Sequence, residues 1–204
     1  MQLLANTTSP FVRIARVALI EKGLDVEPTI VDPWADDPRL REANAAARVP
    51  TLITDDGTPL PESLLIVMWL ERERPPPDYP SLLGDDATAT LSRAGMALGV
   101  IDAAVHTIIT RKSTAPVLFD DTPVGLRRRR TMAEGMGRLE DIAGRVPLGT
   151  DGTVPMLDAI CAVVAIDYLR FRFTDAPWMP ALPALDALSQ RLRKRPSFEK
   201  TSPR

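Results

Sequence analysis

The chain has 204 residues, of which 45% are hydrophobic and 25% charged, and its formal net charge is −2. This composition is typical of a globular protein with a sizeable core, and the charge falls short of the basic footprint of a nucleic-acid binder. A single cysteine and a single histidine exclude an intrachain disulfide, a CxxC redox pair and a zinc site made of paired Cys or His ligands.

The sequence carries no signal for export or membrane insertion. The first residues, MQLLANTTS, lack a basic segment followed by an apolar one. The longest apolar run, 159–166, is far shorter than the ~20 residues that span a bilayer. We therefore expect a cytoplasmic protein without a membrane partner.

The first part of the chain alternates strands and helices. Short apolar runs bounded by Gly, Pro or Asp predict strands, and apolar residues at i, i+3 and i+4 predict helices. In chain order we predict a strand at 2–5, a helix at 10–22 ended by Gly23, a strand at 26–31 interrupted by Pro28, a helix at 38–45, a strand at 51–54, a turn at 55–58 before a brief strand, and a helix at 62–72. The predicted order is βαβαββα.

A proline-rich connector, PPPDYP at 75–80, separates this part from an all-helical remainder. Proline locks φ and removes backbone donors, which favours a semi-rigid extended segment. After the connector, apolar periodicity predicts helices at 87–112, 122–146, 155–169 and 182–194, and the third is apolar nearly all round, as in the middle of a bundle. We predict an α+β protein with domains at 1–76 and 87–204 and a linker at 77–86.

Three hydroxyl residues stand between the first strand and the first helix, in the stretch TTSPFVR. Ser9 followed by Pro10 fits a helix N-cap, and this structural role is sufficient to explain it. The alternative is functional. A helix start presents free N–H groups and a positive dipole end to an anion, and a serine hydroxyl there can donate to a bound thiolate.

Two further junctions allow a similar pair of interpretations. The bond between Val49 and Pro50 is expected to be trans, but a cis bond leaves the backbone groups of Val49 free to pair with an extended peptide-like ligand. Glu62 and Ser63 begin a helix. They are either an ordinary helix terminus or a clamp, in which Ser63 and the backbone amides hold a carboxylate while Glu62 pairs with an ammonium group.

Taken together, these stretches resemble the glutathione S-transferase family over essentially the whole chain. The resemblance rests on TSPFVR after the first strand, RVPTL before the third, DDGTPLPES leading into the third helix, and the connector before an all-helical half. The tail, AIDYLRFRFTDAPW…RPSFEKTSP, resembles the serine-type bacterial members in particular. The resemblance implies a thioredoxin-like domain that binds glutathione and an all-α domain that forms most of a pocket for a second, apolar substrate.

The resemblance also implies roles for individual residues. Ser9 would donate a hydrogen bond to the glutathione sulfur and stabilise its thiolate, with Thr7 and Thr8 as neighbours or, at best, a fallback hydroxyl. A cysteine is used at this position by the thiol-transferring and dehydroascorbate-reducing branches, so the serine disfavours both.

The remaining implied contacts hold the rest of glutathione. Val49, before a cis Pro50, would pair its main-chain groups with the cysteinyl unit, and Arg48 would meet the glycine carboxylate. Glu62 and Ser63 would hold the γ-glutamyl unit. No metal is expected.

The chain departs from the family pattern at two further places. Asn44 matches the asparagine of a frequent NP turn, but Ala45 replaces the proline, so Asn44 is not predicted as a site residue. The buried bundle helix usually has a Ser or Thr cap three residues before an Asp, whereas here Pro155 precedes Asp158. Proline offers no side-chain acceptor, so we expect a broken capping box, which Thr153 could or could not replace.

Four other residues have weaker functional readings. His106 lies four residues after Asp102, which allows an ion pair on one helix face, and it is a candidate for the second pocket or an ordinary packing residue. Cys161 lies in an apolar run and is expected to be a small buried side chain rather than a reactive thiol. Trp34 and Phe119 could line the apolar pocket or pack in the core.

These interpretations predict a cytosolic glutathione transferase. Glutathione is its co-substrate, a small hydrophobic electrophile is its second substrate, and peroxide reduction by the same thiolate is a variant. Homodimerisation is expected from the resemblance. The alternatives are a non-catalytic glutathione-binding or scaffold protein with the same fold, and an interaction module without a ligand.

Overall fold

A computed structural model of the chain describes residues 1–116, 118–145, 148 and 154–202. The described residues form two compact units, the first within Met1–Leu82 and Arg195–Arg204 and the second within Leu83–Lys194. The predicted limits placed the segment after Lys194 with the helical domain, whereas its described residues group with the first unit. In the part of the chain that the structure describes, no helix combines the length and the apolar character needed to cross a membrane.

The first unit contains the predicted sheet. In chain order its elements are β1 (Gln2–Ala5), α1 (Pro10–Glu21), β2 (Pro28–Ile30), α2 (Pro38–Ala43), β3 (Thr51–Ile53), β4 (Pro59–Pro61) and α3 (Ser63–Glu73). The sheet has the order β2-β1-β3-β4, and β1 pairs parallel with β2 and antiparallel with β3, which pairs antiparallel with β4. The βαβαββα order and the thioredoxin-like fold are thereby confirmed.

Both faces of the sheet are covered by apolar side chains. Leu4, Val31, Leu40 and Ala47 form one buried cluster on the side of α2. Because side chains alternate along a strand, the buried Leu3 of β1 faces the other side, where the buried residues of α1 and α3 pack against each other. The central strand is therefore buried on both faces, which fixes its register.

The predicted second strand was too long. The sequence pattern predicts a strand over 26–31 with Pro28 as an interruption, but β2 begins at Pro28 and ends at Ile30. The reason is that β2 is an edge strand, and proline is tolerated as the first residue of such a strand because its missing donor is not needed there.

The second unit is an all-α bundle, as predicted. It contains α4 (Ala87–Thr114), a 3₁₀ turn (Phe119–Asp121), α5 (Pro123–Arg145), α6 (Leu157–Arg172) and α7 (Pro183–Leu192). α4 packs against α5 and α6, and the residues of α6 from Leu157 to Leu169 are buried. The predicted last residue of α5, 146, lies outside the described residues.

The helix predicted at 155–169 begins two residues later, at Leu157. Its N-cap is Met156, which makes no side-chain cap hydrogen bond, in agreement with the expected broken capping box. Asp158 instead accepts a hydrogen bond from Arg93 Nε of α4 at 2.6 Å and one from the Ala159 N–H at 2.8 Å. Thr153, the considered replacement cap, lies outside the described residues.

A short helix after the bundle was not predicted. α8 (Pro196–Glu199) follows α7 within the stretch RPSF, which we expected only to end a helix. Its Phe198 is fully buried, and α8 packs against α1. This packing is the reason why the C-terminal segment belongs to the first unit.

Candidate functional site

The sheet brings the three predicted site segments together at one end of its strands. Leu4 of β1 lies opposite Thr51 of β3, and Thr51 lies opposite Pro61 of β4. The loop after β1, the turn before β3 and the end of β4 therefore meet at the same end of the sheet. These segments carry Ser9, the Val49–Pro50 bond and Glu62.

The hydroxyl-bearing loop after β1 is organised by Asn6. Its Oδ1 accepts hydrogen bonds from the N–H and the hydroxyl of Thr8, both at 3.0 Å, and its C=O accepts one from the Ser9 N–H at 3.3 Å. Sequence reasoning missed Asn6. The available signal was an asparagine directly after a strand, a residue type that commonly closes turns through its side chain.

Ser9 is the N-cap of α1, as predicted. Its Oγ accepts a hydrogen bond from the Val12 N–H at 3.3 Å, and Pro10 occupies the first helical position. Among the described residues, the Ser9 hydroxyl hydrogen has no acceptor, whereas the Thr8 hydroxyl already donates to Asn6. The half-buried Ser9 therefore keeps a donor available at a helix N-terminus, and the cap and the functional role are compatible.

The turn before β3 is held by Asn44. Its Nδ2 donates to the Arg48 C=O at 3.1 Å and to Thr51 Oγ1 at 3.2 Å, and its Oδ1 accepts from the Ala46 N–H at 3.1 Å. The predicted site does not include Asn44, because Ala45 replaces the proline of the family's usual NP turn. The structure shows that Asn44 positions this turn without that proline.

The backbone at Val49 has the form implied by the resemblance. The Val49–Pro50 peptide bond is cis. The Pro50 C=O accepts a hydrogen bond from the Glu62 N–H at 3.3 Å, which ties this turn to the start of α3. Among the described residues, neither the N–H nor the C=O of Val49 has a hydrogen-bond partner.

Glu62 and Ser63 begin α3 in an unusual backbone conformation. Glu62 has φ 73° and ψ 130°, a region that non-glycine residues rarely adopt and in which they cluster at active sites, ligand clamps and switch regions. The helix has no side-chain cap, so its first N–H groups remain available to an anion. Ser63 is buried, and Glu62 is half exposed.

Arg48 and Glu62 form an ion pair, with 3.6 Å between Nη1 and Oε1. The resemblance assigned these two side chains to opposite ends of glutathione. Both are more than half exposed, so the pair contributes little stability, and Arg48 can leave Glu62 at small energetic cost.

Of the four other candidates, Trp34 belongs to the first unit, and His106, Phe119 and Cys161 belong to the second. Trp34 follows β2 at the same end of the sheet and is 65% exposed, but Phe119 is buried beneath the Arg128 guanidinium, 5.3 Å from its ring centre. The expected His106–Asp102 pair is present on α4 at 3.2 Å. Cys161 is fully buried, and burial raises the pKa of its thiol, which confirms that it is a packing residue.

If this end of the sheet binds glutathione, as the resemblance implies, replacing Asn44 with alanine is expected to raise KM for glutathione about fivefold with little change in kcat. The loss of hydrogen bonds to the turn, net about 1 kcal/mol, loosens the Arg48–Pro50 segment but leaves Ser9 in place. Steady-state kinetics at varied glutathione concentration measure the effect. Glu42→Ala, an exposed change in α2, the helix that ends directly before Asn44, is the matched control and should leave both constants unchanged. A fall in kcat alone would contradict a binding role for this turn.

The chain is similar in sequence to known proteins. The family model described as glutathione S-transferase, N-terminal domain, matches residues 3–78. The uncharacterized GST-like protein YibF of Escherichia coli (strain K12) is 30% identical over 206 residues, which cover 100% of this chain and 98% of that protein. The chain belongs to the glutathione S-transferase family.

Two solved structures with bound ligands are similar over nearly the full length. A glutathione S-transferase from Methylobacterium radiotolerans, in complex with glutathione sulfonate, is 32% identical with a TM-score of 0.83, covering 99% of this chain and 94% of that one. A glutathione S-transferase from Methylobacillus flagellatus with glutathione bound is 27% identical with a TM-score of 0.86, covering 100% and 99%.

Proposed function

We propose that this protein is a serine-type glutathione transferase of the cytoplasm, which joins the glutathione thiolate to a small apolar electrophile. The single observation that carries the proposal is the Ser9 hydroxyl. It caps α1 as an acceptor and still has its hydrogen available, at the end of the sheet where the Val49 and Glu62 segments also meet. Thr8, the competing hydroxyl, already donates to Asn6.

The same end of the sheet offers the groups that would bind an extended tripeptide. The N–H and C=O of Val49, which have no partner among the residues that the structure describes, match the backbone of the cysteinyl unit. The uncapped N-terminus of α3 with Ser63 matches the γ-glutamyl carboxylate, and the Glu62 carboxylate matches its ammonium group. Arg48, after it leaves Glu62, matches the glycine carboxylate. In the two ligand-bound relatives, glutathione or its sulfonate is bound by the same fold.

Catalysis by this site is activation and proximity. The thiol loses its proton to solvent, and the Ser9 O–H and the N-terminal end of α1 stabilise the thiolate that remains. Lowering a thiol pKa from ~8.5 by about two units requires about 2.7 kcal/mol, which a charge-assisted hydrogen bond and a helix terminus can supply. The thiolate sulfur then forms a bond to the electrophilic carbon, and a leaving group departs or the adjacent double bond takes up a proton.

We also propose that the protein is a homodimer. Leu65 and Met68, which lie three residues apart on α3, are 48% and 57% exposed. Adjacent exposed apolar side chains on one helix face are suited to a symmetric contact with a second copy.

A panel of electrophiles and hydroperoxides assayed with glutathione tests the function. Conjugation of at least one electrophile, together with an ultraviolet thiolate band from bound glutathione at neutral pH, is the expected result. Bound glutathione that stays a thiol at neutral pH would favour the non-catalytic alternative. Failure to bind glutathione at all would remove the proposal and leave only the fold.

A further inference from the structure

The C-terminal segment, residues 195–202, is fastened to the helix that carries Ser9 at its start. Arg195 binds Glu21 of α1 through two hydrogen bonds, from Nε to Oε1 at 2.8 Å and from Nη2 to Oε2 at 2.7 Å. Ser197 Oγ adds a third to Oε1 at 2.5 Å. The Glu21 side chain is 6% exposed, so these are well-shielded charge-assisted contacts.

The last turn of α1 is thus held from two directions. Lys22, the residue after Glu21, is fully buried and binds Glu71 of α3 at 2.5 Å and the Arg74 C=O at 2.9 Å. Lys200 pairs with Asp25 just beyond the helix, and this contact raises the pKa of Lys200. The C-terminal segment and α3 together fix the end of α1 that is remote from Ser9.

A second contact of the segment reaches the first turn of α1. Phe198 is fully buried, and its ring lies beneath the guanidinium of Arg13, 5.7 Å from Cζ to the ring centre. Arg13 is also buried, and its backbone N–H donates to the Ser9 C=O at 3.1 Å in the first hydrogen bond of the helix. Arg13 therefore contacts both Phe198, through its side chain, and Ser9, through its backbone.

We propose that the C-terminal segment positions the Ser9 hydroxyl, with Phe198 and Arg195 as positioning residues. The proposal rests on the proposed role of Ser9. A hydroxyl that stabilises a thiolate has to be held within a fraction of an ångström, because a displacement of about 1 Å can reduce a rate about 100-fold. Phe198 contacts Arg13 in the first turn of α1, and Arg195 and Ser197 hold Glu21 in its last turn, so the segment restrains both ends of the helix.

The experiment measures the pKa of enzyme-bound glutathione in Phe198→Ala. We expect this pKa to rise by about one unit, since the Ser9 hydroxyl is no longer held against the sulfur. At a pH below the thiol pKa of both the original protein and the variant, the variant should have about tenfold less thiolate and a kcat/KM about tenfold lower. At a pH above both of these pKa values, the two proteins should have the same kcat/KM. KM for glutathione should change little, because Val49 and Glu62 lie on other elements. Ultraviolet titration of the bound thiol and a pH profile of kcat/KM give the two readouts.

Matched variants separate positioning from stability. Val163→Ala removes a buried side chain from α6 in the second unit and should lower the melting temperature without moving the thiol pKa. Arg195→Met, which leaves the core filled, should shift the pKa in the same direction by less and keeps the test valid if Phe198→Ala does not fold. A lower melting temperature with unchanged thiol pKa in both C-terminal variants would overturn the proposal.

The thiol pKa measured in Ser9→Ala separates the proposed role of Ser9 from the positioning role of the C-terminal segment. If Ser9→Ala raises the pKa of the bound thiol and the C-terminal variants do not, the role of Ser9 stands and the positioning role is wrong. If Ser9→Ala leaves the pKa unchanged, the proposed role of Ser9 is itself wrong, and a shift in Phe198→Ala then acts by a route other than the one proposed.

Discussion

Replacement of Ser9 by alanine is expected to lower kcat/KM for glutathione conjugation about 100-fold at a pH below the pKa of the bound thiol, with the fold retained. The reason is that alanine removes the available donor at the start of α1, so that the thiol pKa returns by about two units towards its free value. Because the thiolate then forms unaided at high pH, the defect should shrink as the pH rises.

The same substitution also removes the N-cap acceptor of the Val12 N–H. Its expected effect on the free energy of unfolding is about 1 kcal/mol, which is too small to unfold the protein. Melting curves therefore provide the check that lost activity reflects chemistry. Ser9→Thr, which keeps a hydroxyl in a cap-compatible residue, should recover part of the activity.

Thr8→Val is the matched control for the serine. It removes the hydroxyl that donates to Asn6 but leaves Ser9 at the start of the helix. We expect a modest loss through a looser loop and no large shift of the thiol pKa. Full activity in Ser9→Ala combined with a large loss in Thr8→Val would move the stabilising role to Thr8, and full activity in both would leave it to backbone donors.

The sequence predicted the elements that local chemistry controls. Ser9 followed by Pro10 indicated both a helix start and a helix cap, and each is observed because capping uses only neighbouring residues. The apolar period of 155–169 likewise predicted a buried helix, since a segment that is apolar all round has no face to give to solvent. The βαβαββα order followed from the spacing of apolar and turn residues, whereas the thioredoxin-like fold was implied by the family resemblance.

What the sequence did not predict depends on contacts between distant residues. The role of Asn44 depends on a turn that brings the Arg48 carbonyl and Thr51 back to it. The φ of 73° at Glu62 is set by the junction of β4 and α3 and has no signature in the residue type. The packing of Phe198 beneath Arg13 joins the two ends of the chain, and no local pattern indicates it.

The buried Asp158 is the second residue whose replacement should have a large effect. Its side chain is fully buried, pairs with Arg93 Nε at 2.6 Å and accepts the Ala159 N–H at 2.8 Å. It also lies in the first turn of α6, where a negative charge is favoured by the helix dipole. In a helix without a side-chain cap hydrogen bond from its N-cap residue, Asp158 therefore accepts one of the N–H groups of the first turn and links α6 to α4.

Asp158→Ala is expected to lower the free energy of unfolding by about 3–5 kcal/mol, because it leaves the partly buried Arg93 charge without its partner. For a protein of this size that corresponds to a fall in melting temperature of roughly 10 °C or more. Asp158→Asn, which can still accept the Ala159 N–H, should lose less. Calorimetry and urea unfolding measure both variants.

The double variant Arg93→Met with Asp158→Leu tests whether the charge pair or the packing matters. Replacement of both charges by apolar side chains of similar size is expected to recover most of the stability, since the desolvation of the two ions is removed together with their attraction. If the double variant is instead as unstable as Asp158→Ala, the hydrogen bond that Asp158 accepts from the Ala159 N–H at the start of α6 is the larger contribution. In that case Met156→Ser should restore the stability that Asp158→Ala loses. The serine supplies a side-chain acceptor at the N-cap of α6, which Pro155 and Met156 lack.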